Sequence, residues 1–273
     1  MKKLRNALAA ILLIVSASAS AQKFYVSAGV GYGLSTSRNS GAAYTFNLAN
    51  SNQSDKSQTI VPVKLGQGLS GAINFGYNLN KNMAAELGVS YLEGGKTTTK
   101  QIDDPATDYD QQTILSKGFF VEPTMVFKSE TSGKIEPYAK VGLLFGSPSF
   151  TLDIVRKNGA NAVNSKTIVD GGMAFGYKGN LGLNYIISGK ISIFGEVALR
   201  KVGYSPKKSE ITQFSENGKD ELSTLSIRDI NTEYLDTFQT GESGSENQPR
   251  KGVKFDTELG NVSFNIGLKY SFK

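Results

Sequence analysis

The side chains able to do chemistry in this chain are carboxylates, lysines, arginines and tyrosines, because its 273 residues include no histidine and no cysteine. The missing types remove disulfides, thiol nucleophiles and thiolate metal sites. They also remove the Ser-His-Asp triad, imidazole acid–base catalysis and His-ligated metals. What remains is carboxylate chemistry. Glu122 with Glu136 could form an acid pair. Asp103, Asp104, Asp108 and Asp110 supply oxygens of the kind calcium takes. They lack the EF-hand spacing and its closing glutamate, so they read better as a solvated acidic loop tip. Gly29-Val30-Gly31-Tyr32-Gly33 has neither a following helix nor the G-x-G-x-x-G spacing, so it is not a nucleotide loop. No cofactor is expected.

The charges of interest fall inside segments that alternate apolar and polar residues with period 2, the pattern of a strand with two different faces. Eight such segments are predicted, over 23–33, 68–79, 83–92, 118–128, 134–146, 174–187, 191–201 and 260–272. Pro123 sits inside the fourth, and its missing N–H predicts a local bulge. Hairpin-sized links join the second strand to the third, the fourth to the fifth and the sixth to the seventh. The other connections are long, so they emerge together at one end of the sheet. In the last of them acidic residues outnumber basic ones, and alternation near Phe214 and around Leu225, Ile227 and Asp229 predicts further strands there. Those strands would either extend above the sheet or add a hairpin and make ten strands.

Residues 1–21 have a different pattern. Lys2, Lys3 and Arg5 precede an apolar stretch from Ala7 to Val15, and Ala19-Ser20-Ala21 closes the segment as an A-x-A site. This predicts a secretory signal peptide cleaved after Ala21, leaving 22–273 as one domain. Its removal halves the formal charge of +6. No basic cluster with interleaved aromatics remains, so nucleic acid is not an expected partner.

Alternation alone does not say which face points inward, and a soluble ligand-binding barrel would put the apolar face inside. Three features favour the inverse. The polar face is crowded with Gly, Ala, Ser and Asn, which suit the narrow interior of an eight-stranded barrel. That same face carries Glu86, Glu122, Glu136 and Glu196 against Lys140, Lys178, Arg200 and Lys269. Four charges of each sign predict a sealed, paired interior, because an unpaired buried charge costs several kcal/mol. On the apolar face, Tyr32, Tyr91, Phe119, Phe145 and Phe175 gather toward the long connections. Phe24, Tyr77, Phe127, Tyr185, Tyr270 and Phe272 gather toward the short turns, giving two aromatic girdles around an apolar band.

With its leader, its alternation of short and long connections and its closing strand Asn261-Val-Ser-Phe-Asn-Ile-Gly-Leu-Lys-Tyr-Ser-Phe272, the chain resembles the small outer-membrane β-barrel proteins. These include the OmpA transmembrane domain, OmpX and the Opa-like adhesins. The family commonly ends on an aromatic residue, whereas here Lys273 follows Phe272. No C-terminal peptidoglycan-binding domain is expected. The resemblance implies a Gram-negative outer-membrane location, contact with outer-membrane lipid and insertion by the barrel assembly machinery.

The expectation is an all-β, eight-stranded, antiparallel, up-and-down transmembrane β-barrel. It would be non-enzymatic, with a side-chain-filled lumen and long extracellular connections facing an unidentified partner. The alternative is a narrow channel for ions or small solutes, in the manner of OmpW-like proteins.

Overall fold

The computed structural model describes residues 23–36, 49–52, 57–61, 63–104, 108–129, 133–237 and 244–272. The predicted leader lies outside the described residues. Eight strands form the frame: β1 (Phe24–Ser35), β2 (Gly68–Asn78), β3 (Met83–Gly94), β4 (Asp108–Lys128), β5 (Ile135–Asn158), β6 (Ala174–Ile186), β7 (Ile191–Tyr204) and β8 (Asn261–Ser271). Each pairs antiparallel with its neighbour in sequence. The last pairs with the first, Tyr25 opposite Ser271 and Ser35 opposite Asn261, so the ring closes. Closure satisfies both strand edges, which a hydrocarbon surround requires.

The faces separate cleanly. Outward side chains are open to the surroundings, with Leu181 70% exposed, Ile266 66% and Val30 63%. Inward polar ones are buried, with Glu122 1% exposed and Lys178 4%. The aromatics on the outer face meet in pairs at two heights. Near the long connections, Tyr91 packs on Phe119 at 4.7 Å and Phe145 on Phe175 at 5.3 Å between ring centroids. Near the short turns, Phe24 packs on Tyr77 at 4.9 Å and Tyr270 on Phe272 at 5.2 Å. On β6 the two girdles are represented by Phe175 and Tyr185. Their separation is about 33 Å along the strand at ~3.3 Å per residue. A strand tilt of about 40° reduces that to ~25 Å, the height of the apolar band of an outer-membrane barrel.

Two expectations change, and one alternative is resolved. Pro123 makes no bulge: β4 and β5 pair at Val121↔Phe145 and resume at Thr124↔Gly142 in the same register. The proline loses a ladder donor without adding a residue, so the strand has nothing extra to accommodate. The ring holds the expected eight strands, and the ten-stranded alternative falls away because the additional strands lie outside it. The alternation around Leu225 and Ile227 is not a strand either. Ile227–Ile230 is one turn of helix, whose first turn is capped by Ser226 accepting from the Asp229 amide at 3.2 Å.

Beyond the long-connection end the sheet continues. β4 and β5 run on together as far as Asp108 opposite Asn158. A two-residue turn follows, with Gly159 at a φ of +57°, and the strand Asn161–Asp170 pairs back on β5. The strand Lys208–Glu216 pairs on Asn161–Asp170, and Asn231–Leu235 pairs on Lys208–Glu216. Three of the predicted long connections therefore contribute strands to a wall of β-sheet. The wall is possible because β4 and β5 keep alternating beyond the girdle, as in Ile114, Phe150 and Leu152, each buried on the inner side.

Candidate functional site

The lumen brings all eight sequence-predicted charges into ion pairs. Glu122 on β4 lies 2.5 Å from Lys178 on β6 and 2.7 Å from Arg200 on β7. Ser90 on β3 also donates to Glu122. Lys140 on β5 lies between two carboxylates, 3.0 Å from Glu86 and 3.6 Å from Glu196. Lys269 on β8 is 3.8 Å from Glu136. These groups come from six strands. They converge because period 2 points every second side chain inward and an eight-stranded ring leaves only side-chain room at its centre.

Neutral donors complete the shells of the carboxylates. Tyr25 donates to Glu86 at 2.8 Å and Tyr138 to Glu196 at 2.9 Å. Asn180 donates to Glu196 at 2.7 Å and Asn184 to Glu136 at 2.7 Å. A charged group this far from water is held only when paired and hydrogen-bonded on most sides. The network meets that condition.

The predicted balance of four against four needs one correction. Lys128, the last residue of β4, also turns inward, donating to Asn78 with its ammonium 5.2 Å from the Tyr25 ring centroid. Lys269 lies over the same ring at 4.4 Å. The inner wall thus holds one cation more than the sequence count, and the excess sits at the short-turn mouth. There a cation needs less compensation because it is near water and faces an aromatic surface. Its place at the end of a strand hid its direction.

Sequence reasoning also missed the inward aromatics. Tyr25, Phe120, Tyr138 and Phe194 interrupt the polar face, and each lies directly opposite a glycine. The pairs are Tyr25↔Gly76, Phe120↔Gly146, Tyr138↔Gly182 and Phe194↔Gly267. A Cβ at any of these glycines would fall onto the ring opposite. Each ring occupies the space a side chain would take at the glycine opposite, a packing that fills a barrel interior. The signal was present in the sequence as glycines on the inner face, but only the register tells which ring each one receives.

The long-connection mouth is closed by apolar packing. Val63 and Leu65 are almost wholly buried, among Leu92, Phe120, Leu144 and Phe150. The segment carrying them is pinned by Asn261, which donates to the Gly66 carbonyl at 2.8 Å, and by Ser116, which donates to that of Leu65. Among the described residues, two cavities lined by inward side chains measure about 30 Å³ and about 10 Å³. Those volumes suit one or two water molecules.

The acidic run in the second long connection is engaged differently from a calcium site. Asp110 pairs with Arg156 at 3.0 Å, and Asp108 accepts from the Gly159 amide at 2.7 Å. The side chains of Asp103 and Asp104 lie outside the described residues. Among the described residues no cluster of three or more Asp or Glu is arranged to hold a metal ion.

Comparison with known proteins adds the following. The family model described as outer membrane protein beta-barrel domain matches residues 7–228, most of the chain. That match takes in β1 to β7. No curated protein matches the chain. Among solved structures, the crystal structure of Neisserial surface protein A (NspA) is similar at 12% identity and a TM-score of 0.37, covering 91% of this chain and 97% of that one. The solid-state NMR structure of outer membrane protein AlkL in DMPC lipid bilayers is similar at 12% identity and a TM-score of 0.33, covering 94% of each chain. The family assignment rests on the domain match alone.

Proposed function

We propose, on the premise that the chain belongs to the outer membrane protein β-barrel domain family, that it is a non-enzymatic barrel whose closed lumen supports an extracellular sheet wall offered to an outside partner. The observation that carries this reading is the filled interior. Among the described residues, the pocket beside the charge network around Glu122 and Lys140 measures about 30 Å³ and the one below it, by Tyr25 and Lys269, about 10 Å³, while Val63 and Leu65 pack in an apolar cluster toward the long connections. A lumen so filled has a scaffold's packing, and it counts against the alternative of a narrow channel. The carboxylates that could do acid–base work are taken up by cations and amides. The part left free to act is the wall above the girdle, built from β4, β5 and the strands Asn161–Asp170, Lys208–Glu216 and Asn231–Leu235.

The test is planar-bilayer conductance on protein whose folding is first shown by a heat-dependent shift in SDS gels. The closed-lumen reading expects no discrete conductance from the shifted form. Stable unitary currents from that form, altered by Arg200→Met, would replace it with the channel.

A further inference from the structure

The short-turn end of the barrel carries a ring of lysines that the lumen and the extracellular wall do not use. The turn between β2 and β3 holds Lys81, that between β4 and β5 ends on Lys134, and that between β6 and β7 holds Lys190. At the remaining junction, where β8 meets β1, stands Lys23. Strand order in the ring follows chain order, so these four positions recur at every second strand and surround the rim. All four are exposed. Among the described residues this end has no exposed carboxylate, and none of the four lysines is in an ion pair. The sequence adds one residue of each sign here, Glu130 and Lys273, outside the described residues. Lys128 at the mouth, held by the neutral Asn78, adds to the positive field.

The height of the ring is set by the aromatic girdle. Lys23 lies 5.8 Å from the ring centroid of Tyr77, which packs on Phe24 in the lower girdle. Girdle aromatics lie at headgroup level, and lysines beside them extend their apolar stems along the barrel and place the ammonium among the headgroups. We propose that this ring binds the phosphates of anionic phospholipids in the leaflet facing the short turns, holding a collar of such lipids around the barrel. The distribution decides for lipid over a docked protein, because a protein partner would meet one side of the rim whereas a leaflet meets all four lysines at once. The inference rests on the family reading, in which short turns face the periplasm.

A lysine beside an anionic lipid surface favours it by about five-fold at low ionic strength, and salt erodes the preference. The experiment uses the full chain in phosphatidylcholine vesicles with trace spin-labelled phosphatidylglycerol or trace spin-labelled phosphatidylcholine. The readout is the fraction of label immobilised at the protein surface. The wild type is expected to immobilise phosphatidylglycerol several-fold more strongly. In the fourfold variant Lys23→Gln, Lys81→Gln, Lys134→Gln, Lys190→Gln the two labels should come near parity. A matched variant at the other end, Lys64→Gln, Lys96→Gln, Lys207→Gln, Lys219→Gln, should keep the preference.

Equal immobilisation by the wild type, or a preference that survives the fourfold change, overturns the proposal. Heat-shift gels of the same vesicles separate the two levels of failure. A shifted barrel without lipid preference overturns the lysine ring alone, and a chain that neither inserts nor shifts overturns the membrane reading beneath it as well.

Discussion

Replacing Glu122 by glutamine keeps the side chain's shape and removes one charge from the middle of the lumen. One carboxylate oxygen accepts from Lys178 at 2.5 Å, and the other accepts from Arg200 at 2.7 Å and from Ser90. An amide has one oxygen and one NH₂. It must therefore point a donor at a lysine or at an arginine, neither of which can accept. The variant loses a charge-assisted hydrogen bond, worth ~1.5–3 kcal/mol, and leaves two cations in a site where the carboxylate was 1% exposed. Breaking a buried pair from one side costs about 3–5 kcal/mol in total, and that is the expected loss. Glu196→Gln is the internal comparison. Glu196 accepts from Tyr138, Asn180 and Asn265, all neutral, and has one cation at 3.6 Å. An amide oxygen can serve most of those donors, so its loss should be nearer ~1–2 kcal/mol. Urea titration of the folded, heat-shifting band measures both. Adding Arg200→Met to Glu122→Gln should return part of the loss, because it removes one stranded cation. A Glu122→Gln loss below about 1 kcal/mol, or one no larger than that of Glu196→Gln, would refute the argument that burial and charge count set the cost.

Two further outcomes follow from the geometry. Gly182→Ala should destabilise by ~1–3 kcal/mol because its methyl would land on the Tyr138 ring. Gly195→Ala, where a Cβ meets nothing within 4 Å, should stay within about 0.5 kcal/mol in the same urea titration. A short epitope inserted between Gly159 and Ala160, at the tip of the wall, should bind antibody on intact cells. The same epitope between Asn80 and Lys81 should bind only after the outer membrane is opened, and the reverse labelling would invert the assigned orientation.

How much of this was legible before the fold was known differs between the two faces. The outer face was readable nearly in full. Lipid asks only that a residue be apolar in the band and aromatic at its edges, and that demand is local. Alternation therefore sufficed to find all eight strands within a few residues at most ends, and to place Phe24, Tyr77, Phe119 and Phe175 in the correct girdle. The inner face was readable for charge type but not for partnership. Period-2 alternation placed Glu122 and Lys178 on the same face, yet that one carboxylate serves both Lys178 and Arg200 depends on which strands face each other across the ring. Lys128 was overlooked because its direction depends on where β4 ends, and Tyr25 and Phe194 because rings on a polar face make sense only opposite their glycines.

The sequence by itself determined that the chain would be a β-barrel with its apolar side outward, because periodicity, the small residues of the polar face and the aromatic sorting can be read strand by strand. Only the tertiary structure decided that Val63 and Leu65 join the buried apolar cluster toward the long connections, since they reach it from a connection rather than from a strand. It also decided that three long connections continue as sheet. Both outcomes depend on register and on contacts between residues far apart in the chain, such as Asn261 with Gly66 and Asp108 with Asn158. Strand periodicity carries no information about contacts at that separation.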